Sequence, residues 1–157
     1  MTDHYSVDIA IVGAGFGGSF TALILKQMGF RVLVLDRAKY PRFAIGESST
    51  PIADLILRKL ASRFNLPALL PLSRYGTWKQ NCPELGCGRK RGFAFYEHLP
   101  GHHFQQLGQN ANQLLVAASS SDSRSDTHWL RADVDFHFMN QLPKFDIPCF
   151  DQTEVKV

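Results

Sequence analysis

The segment that most restricts this chain is Gly13-Ala14-Gly15-Phe16-Gly17-Gly18. It follows a short β-branched apolar run, Val7 to Val12 (Val-Asp-Ile-Ala-Ile-Val), and precedes a helical pattern over Ser19 to Met28. Phe20, Leu23, Ile24 and Met28 fall along one side of that helix. A Gly-x-Gly-x-x-Gly run carries meaning only between a strand and a helix, and here it has that context. Gly13 permits the tight turn, Gly15 lets backbone approach a pyrophosphate, and Gly18 lets helix and strand pack closely. Ala14, Phe16 and Gly17 complete the turn, whose helix N-terminus offers N–H groups and a positive dipole end to phosphates.

The pattern continues downstream. Ala22 is small where the helix must lie on a sheet, Gly29 suits a left-handed helix end, and Arg31 to Asp36 reads as a second buried strand. Residues 7–36 thus form a right-handed βαβ unit. Asp36 stands eighteen residues past Gly18, close to the offset of a carboxylate that accepts from ribose hydroxyls. It favours a free ribose over a 2′-phosphate, although the adjacent Arg37 weakens that distinction. The competing reading is a glycine-rich turn in an α/β protein with no ligand.

Composition excludes several classes. Hydrophobic residues make up 45% of the 157 and charged residues 20%, which rules out a disordered chain, a collagen and a coiled coil. The net charge of +3 is small and scattered, so nucleic acid is not an expected partner. Cys82, Cys87 and Cys149 do not make a disulfide framework and read as free thiols. Two aspartates precede the first apolar run, glycines interrupt it, and no run reaches the roughly 18 apolar residues of a membrane span. A cytoplasmic protein is expected. No pair among the six histidines has metal-binding spacing, so no metal is assigned, and no nucleophile elbow or P-loop lysine occurs.

The remaining chain divides coarsely. Arg37 to Ser49 reads as a loop, and Pro51 opens a helix to about Phe64 with Ile52, Leu55, Ile56, Lys59 and Leu60 in periodic positions. Arg91 to Glu97 and Gln113 to Ala118 are candidate strands, and Ser119 to Asp126 is a polar surface loop. Asp133 or Asp135 is placed to cap a short helix ending before Pro143, and Thr153 to Val157 alternates like a strand. His98, His102 and His103 are candidates for a pocket lining or for ordinary loop histidines.

The βαβ unit alone does not separate FAD from NAD. The next segment, Lys39-Tyr40-Pro41-Arg42-Phe43-Ala44-Ile45-Gly46-Glu47-Ser48 followed by Pro51, resembles the loop after the second strand in flavin-dependent halogenases and FAD-dependent monooxygenases. The group includes tryptophan-halogenase-like and geranylgeranyl-reductase-like proteins. The resemblance implies FAD as cofactor, with Gly46, Glu47 and Ser48 bordering the flavin; a helix-capping turn is the other role open to Glu47-Ser48. Arg89-Lys90-Arg91-Gly92-Phe93-Ala94-Phe95-Tyr96 is similar to the family segment in which a catalytic lysine precedes a short aromatic strand. Lys90 is the match and Lys79 a second candidate, while charge runs of this kind ordinarily form a solvated basic edge. Trp129 to Asp135 is similar to the family's Arg-containing helix start, which makes Arg131 a candidate flavin or phosphate contact or else a surface arginine.

The implied fold is α/β, a Rossmann-like FAD-binding domain of the three-layer GR2 type. The expected organisation is the βαβ unit at 7–36, an insertion at about 50–145 and a returning strand at about 150–157, so that Val157 falls within a domain. The implied activity is that of an FAD-dependent oxidoreductase, either monooxygenase or halogenase. In such enzymes reduced flavin activates O2, and oxygen then passes to a substrate or oxidises halide that a lysine relays. The implied partners are a small-molecule substrate and a flavin reductase supplying reduced FAD. Neither the family's later Gly-Asp motif nor its Trp-x-Trp-x-x-Pro segment occurs in these 157 residues, which leaves the halogenase, monooxygenase and reductase branches open. The alternative from another class is a nucleotide-binding module without catalytic activity.

Overall fold

The computed structural model describes residues 4–117 and 119–156. Three parallel strands, β1 (Ile9–Val12), β2 (Val32–Leu35) and β7 (Cys149–Phe150), form a sheet in the order β1-β2-β7. Ile9 to Val12 pair in register with Val32 to Leu35, and Val34 and Leu35 pair with Cys149 and Phe150. The returning strand therefore lies beside β2 at Cys149–Phe150, and not over the alternating residues from Thr153 on, of which Val157 lies outside the described residues. Thr153 N–H still donates to the Asp36 carbonyl at 2.8 Å, so the chain folds back over the end of β2 without forming a ladder there.

Helix α1 (Phe16–Gln27) starts three residues earlier than its apolar periodicity suggests. Gly17 and Gly18 are themselves wound into its first turn, and Gly15 is its N-cap. Its buried residues are Ser19, Ala22 and Leu23, and Met28 is exposed and caps the C-terminus. Gly29 follows at φ +94°, the left-handed conformation that favours glycine. Helix α4 (Arg131–Met139) packs against α1, burying Val134, Asp135 and Phe138. Its N-cap is Leu130, so neither Asp133 nor Asp135 caps it. Both carboxylates face inward: Asp133 accepts from Gly86 N–H at 2.9 Å, and Asp135 reaches α1.

Helix α2 (Pro51–Arg63) has Thr50 as N-cap, accepting from Ala53 N–H at 3.2 Å. The cap is thus Thr50 and not Glu47-Ser48. The buried face of α2 is Asp54, Leu57 and Ala61, which leaves Ile52, Leu55 and Ile56 exposed. The apolar stripe visible in the sequence points outward because Asp54 is drawn into a buried polar cluster and Leu57 and Ala61 face the 3-10 turns of residues 67–73. Short helix α3 (Tyr75–Asn81) buries Trp78, whose indole N–H donates to Leu85 C=O at 3.1 Å.

Two antiparallel pairs complete the structure. Strands β3 (Cys87–Lys90) and β6 (Asp126–Trp129) pair with each other, as do β4 (Gly92–Tyr96) and β5 (Gln113–Ala117). β3 and β6 have no clear alternation in sequence. Asp126, expected at the end of a surface loop, begins β6 and is buried, as are Ser125 and Thr127. Within the loop, residues 122–124 make a 3-10 turn.

At Gly18 a Cβ would stand 1.9 Å from the Gly13 carbonyl oxygen, whereas at Gly17 it would meet nothing within 4 Å. Gly18→Ala is expected to lower the unfolding free energy by about 1–3 kcal/mol or more, as overpacking against rigid backbone does. Gly17→Ala, in an open helical position, should raise it by about 0.5–1 kcal/mol. Urea unfolding of the two variants checks the contrast.

Candidate functional site

The carboxyl ends of β1 and β2 open onto a cleft of about 550 Å³ lined by Val12, Gly13, Asp36, Arg37, Ala38, Arg42 and Thr153 to Val155. This is where parallel α/β sheets place their ligands. Gly13 bridges β1 to the turn at φ +113°, a conformation strained for any other residue.

Asp36 organises the cleft and is 7% exposed. Its Oδ2 accepts from Ala14 N–H and Tyr40 O–H, each at 2.8 Å, and its Oδ1 accepts from Ala38 N–H at 2.8 Å. Burial pushes this carboxyl up, but the Ala38 and Ala14 amides, the Tyr40 hydroxyl and the nearby Arg42 charge outweigh it. The acid is left below its ordinary value and ionised. Burial, and then the bond to Asp36, push the Tyr40 hydroxyl well up, so it stays protonated. The carboxylate expected to receive ribose hydroxyls is therefore already a structural acceptor, with one lone pair of Oδ1 uncommitted within the protein. Arg37, exposed, lines the same cleft.

A second carboxylate sits at the start of α1. Asp135, fully buried, accepts from Phe16 N–H at 3.2 Å and pairs with Arg131 through Nε–Oδ1 at 2.8 Å and Nη2–Oδ2 at 3.0 Å. The helix N-terminus thus holds an anion from within the protein, as its dipole favours. Arg131, on the Phe16 ring at 4.7 Å, also donates to the Ile45 and Gly46 carbonyls at 2.6 and 3.2 Å. Its side chain is 11% exposed, so it is not a surface arginine; its bonds to Asp135 and to the loop carbonyls make it a clamp joining α4 to the loop. Gly46, at φ +89°, lies under it. At Gly15 a Cβ would come within 3.3 Å of Arg42 Nη2 and 3.4 Å of Asp135 Oδ2, so two ionic side chains stand close over this glycine.

Arg42 was absent from the residues singled out by sequence, although it lies in the Pro-Arg pattern. It donates to Tyr40 Oη at 3.1 Å, stands 3.9 Å from Asp135, and keeps 29% of its side chain exposed in the cleft. It is the cation best placed to meet an anion at the glycine turn.

Beyond the loop the basic run separates. Arg89 and Arg91 are exposed and pair with Asp122, the latter at 3.2 Å. Lys90 is instead 7% exposed. Its Nζ donates to Ser48 Oγ at 2.6 Å and to Ser49 C=O at 2.5 Å, and lies 3.9 Å from the centre of the Phe93 ring. Burial lowers its proton affinity below the ordinary lysine value, against the charges of Asp126 and Asp54. The alternative, Lys79, is exposed on α3. Glu47 is exposed, and its carbonyl accepts from Trp129 N–H at 2.7 Å, while Ser48 is occupied by Lys90. Asp54 and Asp126, unmarked by any sequence motif, are buried beside this lysine. Burial, then the charge of Asp126, push Asp54 up to about 7, and burial raises Asp126 too. His98, His102 and His103 line a separate pocket of about 380 Å³ beyond β4.

A glycine turn at the start of a helix, a carboxylate ending the second strand and a cleft at the strand ends define a dinucleotide-binding α/β protein. Comparison with known proteins narrows the class. Residues 8–138 match the family model described as FAD dependent oxidoreductase, and the chain belongs to that family. FAD is the family's cofactor. Over 154 residues the chain is 32% identical to monodechloroaminopyrrolnitrin halogenase PrnC of Pseudomonas fluorescens, covering 98% of this chain and 26% of that protein. It is 28% identical over 138 residues to tetracycline 7-halogenase of Kitasatospora aureofaciens, covering 88% of this chain and 24% of that protein. The crystal structure of halogenase PltM with phloroglucinol and FAD superposes at TM-score 0.78 with 27% identity, covering 96% of this chain and 29% of PltM. The chain thus spans about a quarter of the length of the curated relatives it matches. No helix among the described residues is long and apolar enough to cross a membrane.

Two outcomes follow from these buried acids. Asp36→Ala leaves the Ala14 and Ala38 amides and the Tyr40 hydroxyl without their acceptor. It should cost about 1–3 kcal/mol for each donor that water does not reach, against about 1 kcal/mol for Tyr40→Phe, in urea unfolding. Asp54 holds its proton more tightly folded, at about 7, than at its ordinary 3.8. The unfolded chain therefore binds fewer protons across that interval, and stability falls as pH rises through it. Urea midpoints measured at both ends of the interval should show this fall, and Asp54→Asn should flatten it.

Proposed function

We propose that this chain carries the FAD-binding segment of a flavin-dependent halogenase that acts on a small-molecule substrate and receives reduced flavin from a separate flavin reductase. The placement of Lys90 carries the halogenase reading. Arg89 and Arg91 are spent on the surface, while Lys90 is turned inward and hydrogen-bonded to the serines that end the Gly46 loop. A lysine selected only for solubility gains nothing from that burial, which costs its ammonium most of its hydration.

The residues of the cleft suit FAD. The Gly13–Gly18 turn and the start of α1 would face the pyrophosphate, with Arg42 as counter-charge and Asp36 and Arg37 toward the ribose. Gly46, Glu47 and Ser48 would border the flavin. When bound, FAD supplies the redox chemistry with O2. The protein's part is to orient that cofactor, hold the loop close through Arg131, and present the Lys90 amine with a lowered proton affinity. Three free thiols suit a reducing compartment, the cytoplasm.

Expressed alone, the 157 residues should co-purify with FAD or quench its fluorescence on mixing. FAD that does neither overturns the claim that these residues suffice for binding. Asp36→Ala should weaken binding by about 1–3 kcal/mol if the ribose hydrogen bonds are buried. In the full-length enzyme, Lys90→Met should retain FAD and its oxidation by O2 while abolishing halogenation. Halogenation that survives this change refutes the role of Lys90.

A further inference from the structure

Asp54 on α2 and Asp126 on β6 are 2% and 6% exposed and meet at Ser49, which bonds both Asp54 and Thr127, the neighbour of Asp126, so that each acid feels the other's charge. Asp54 Oδ1 and Asp126 Oδ2 are buried without a hydrogen-bond partner. The remaining Asp54 oxygen accepts from Ser49 Oγ at 3.3 Å, and Ser49 Oγ in turn accepts from Thr127 N–H at 3.0 Å. Two ionised carboxylates in one dry site repel strongly, and one proton placed between the two orphan oxygens satisfies both.

Lys90 belongs to the same cluster. It sits directly opposite Asp126 in the β3–β6 register, and its ammonium donates to the hydroxyl of Ser48 and the carbonyl of Ser49. The Phe93 ring on β4 covers it. Neither carboxylate is in direct ion-pair contact with Nζ, so the acids act on it through charge across the cluster. The charged groups meeting there are Lys90 from β3, Asp126 from β6, and Asp54 and Arg58 from α2. Arg58 is partly committed elsewhere, donating to Ser73 C=O at 3.1 Å.

We propose that Asp54 and Asp126 share one proton and together form the positioning pair of Lys90, holding its ammonium in place and setting how tightly it keeps its proton. The functional meaning of the pair rests on the reading of Lys90 given above, but the coupling itself does not. With the shared proton present the pair carries a single negative charge. When that proton leaves to solvent the pair carries two, and the ammonium of Lys90 is held more firmly. The lysine therefore faces a counter-charge that changes by one within the range where an enzyme works, and a solvated surface lysine has no such control.

The test is a titration of the 157-residue chain by NMR, reading Lys90 15Nζ and the carboxyl 13Cγ of both acids. A carboxyl step is expected near 7, with a Lys90 shift at the same midpoint. Asp54→Asn and Asp126→Asn should each remove that shared step. Each leaves the pair singly charged at high pH, so each should also weaken proton binding at Lys90 by about threefold or more. Amide spectra establish that the variants are folded, and the unsubstituted chain tests the coupling even if they are not. A Lys90 signal blind to the carboxyl step, or unchanged in both folded variants, overturns the proposal. Halogenation that survives Lys90→Met would remove the lysine's catalytic role and leave the titration result standing, so the two failures are distinguishable.

Discussion

The Asp36 carboxylate ties the parts of the cleft to one another. A single side chain at the end of β2 receives the Ala14 amide from the glycine turn, the Ala38 amide from the loop that follows, and the Tyr40 hydroxyl. These three donors come from both sides of the βαβ crossover. The acceptor adds to the Gly13 N–H bond to the Leu35 carbonyl at 2.7 Å, so the turn is tied to the end of the second strand through both backbone and side chain. The carboxylate is kept ionised because burial, which opposes charge, is outweighed by donors aimed at it.

Asp135 does the equivalent task for the helix. It brings α4 onto the first turn of α1 through Phe16 N–H and holds Arg131, which in turn grips the Ile45 and Gly46 carbonyls. Buried ion pairs of this kind add little net stability compared with an apolar contact, but removing one partner is costly. Their value here is in geometry. They fix where a loop with an exposed Phe43 and Ile45 leaves the body of the protein.

The βαβ unit was legible because each of its elements is specified locally. The glycines at 13 and 18 answer to a positive φ and to a backbone contact, and the strands are short β-branched runs. The placement of α2 also followed from Pro51, but its buried face did not. Periodicity counts apolar side chains, and here a polar one, Asp54, is taken inside. For the same reason β3 and β6 were hidden: Cys-Gly-Arg-Lys and Asp-Thr-His-Trp alternate poorly, and their pairing depends on contacts made across 36 or more positions of chain. The returning strand was displaced to Cys149–Phe150 because only two residues pair, too few to leave a period. Among the site residues, Arg42 carries only the Pro-Arg pattern of its loop, while Asp54 and Asp126 carry no local signal of function, and only the fold brings these two to Lys90.

The stretch from Pro41 to Ser49 links these two centres. One end is held at the cleft by Arg42 against Tyr40, the middle by Arg131 at Ile45 and Gly46, and the far end by Lys90 at Ser48 and Ser49. Its own Arg42 and cations from two other elements, α4 and β3, thus fix a segment with almost no apolar anchorage of its own, since Phe43 and Ile45 are exposed. Arg42 stands 3.9 Å from Asp135 beside Gly15, so an anion at the glycine turn would meet the same arginine that holds the start of the loop. The cleft end and the Lys90 end of the loop are thus separated by nine residues of backbone, Pro41 to Ser49, with Arg131 gripping the chain between them.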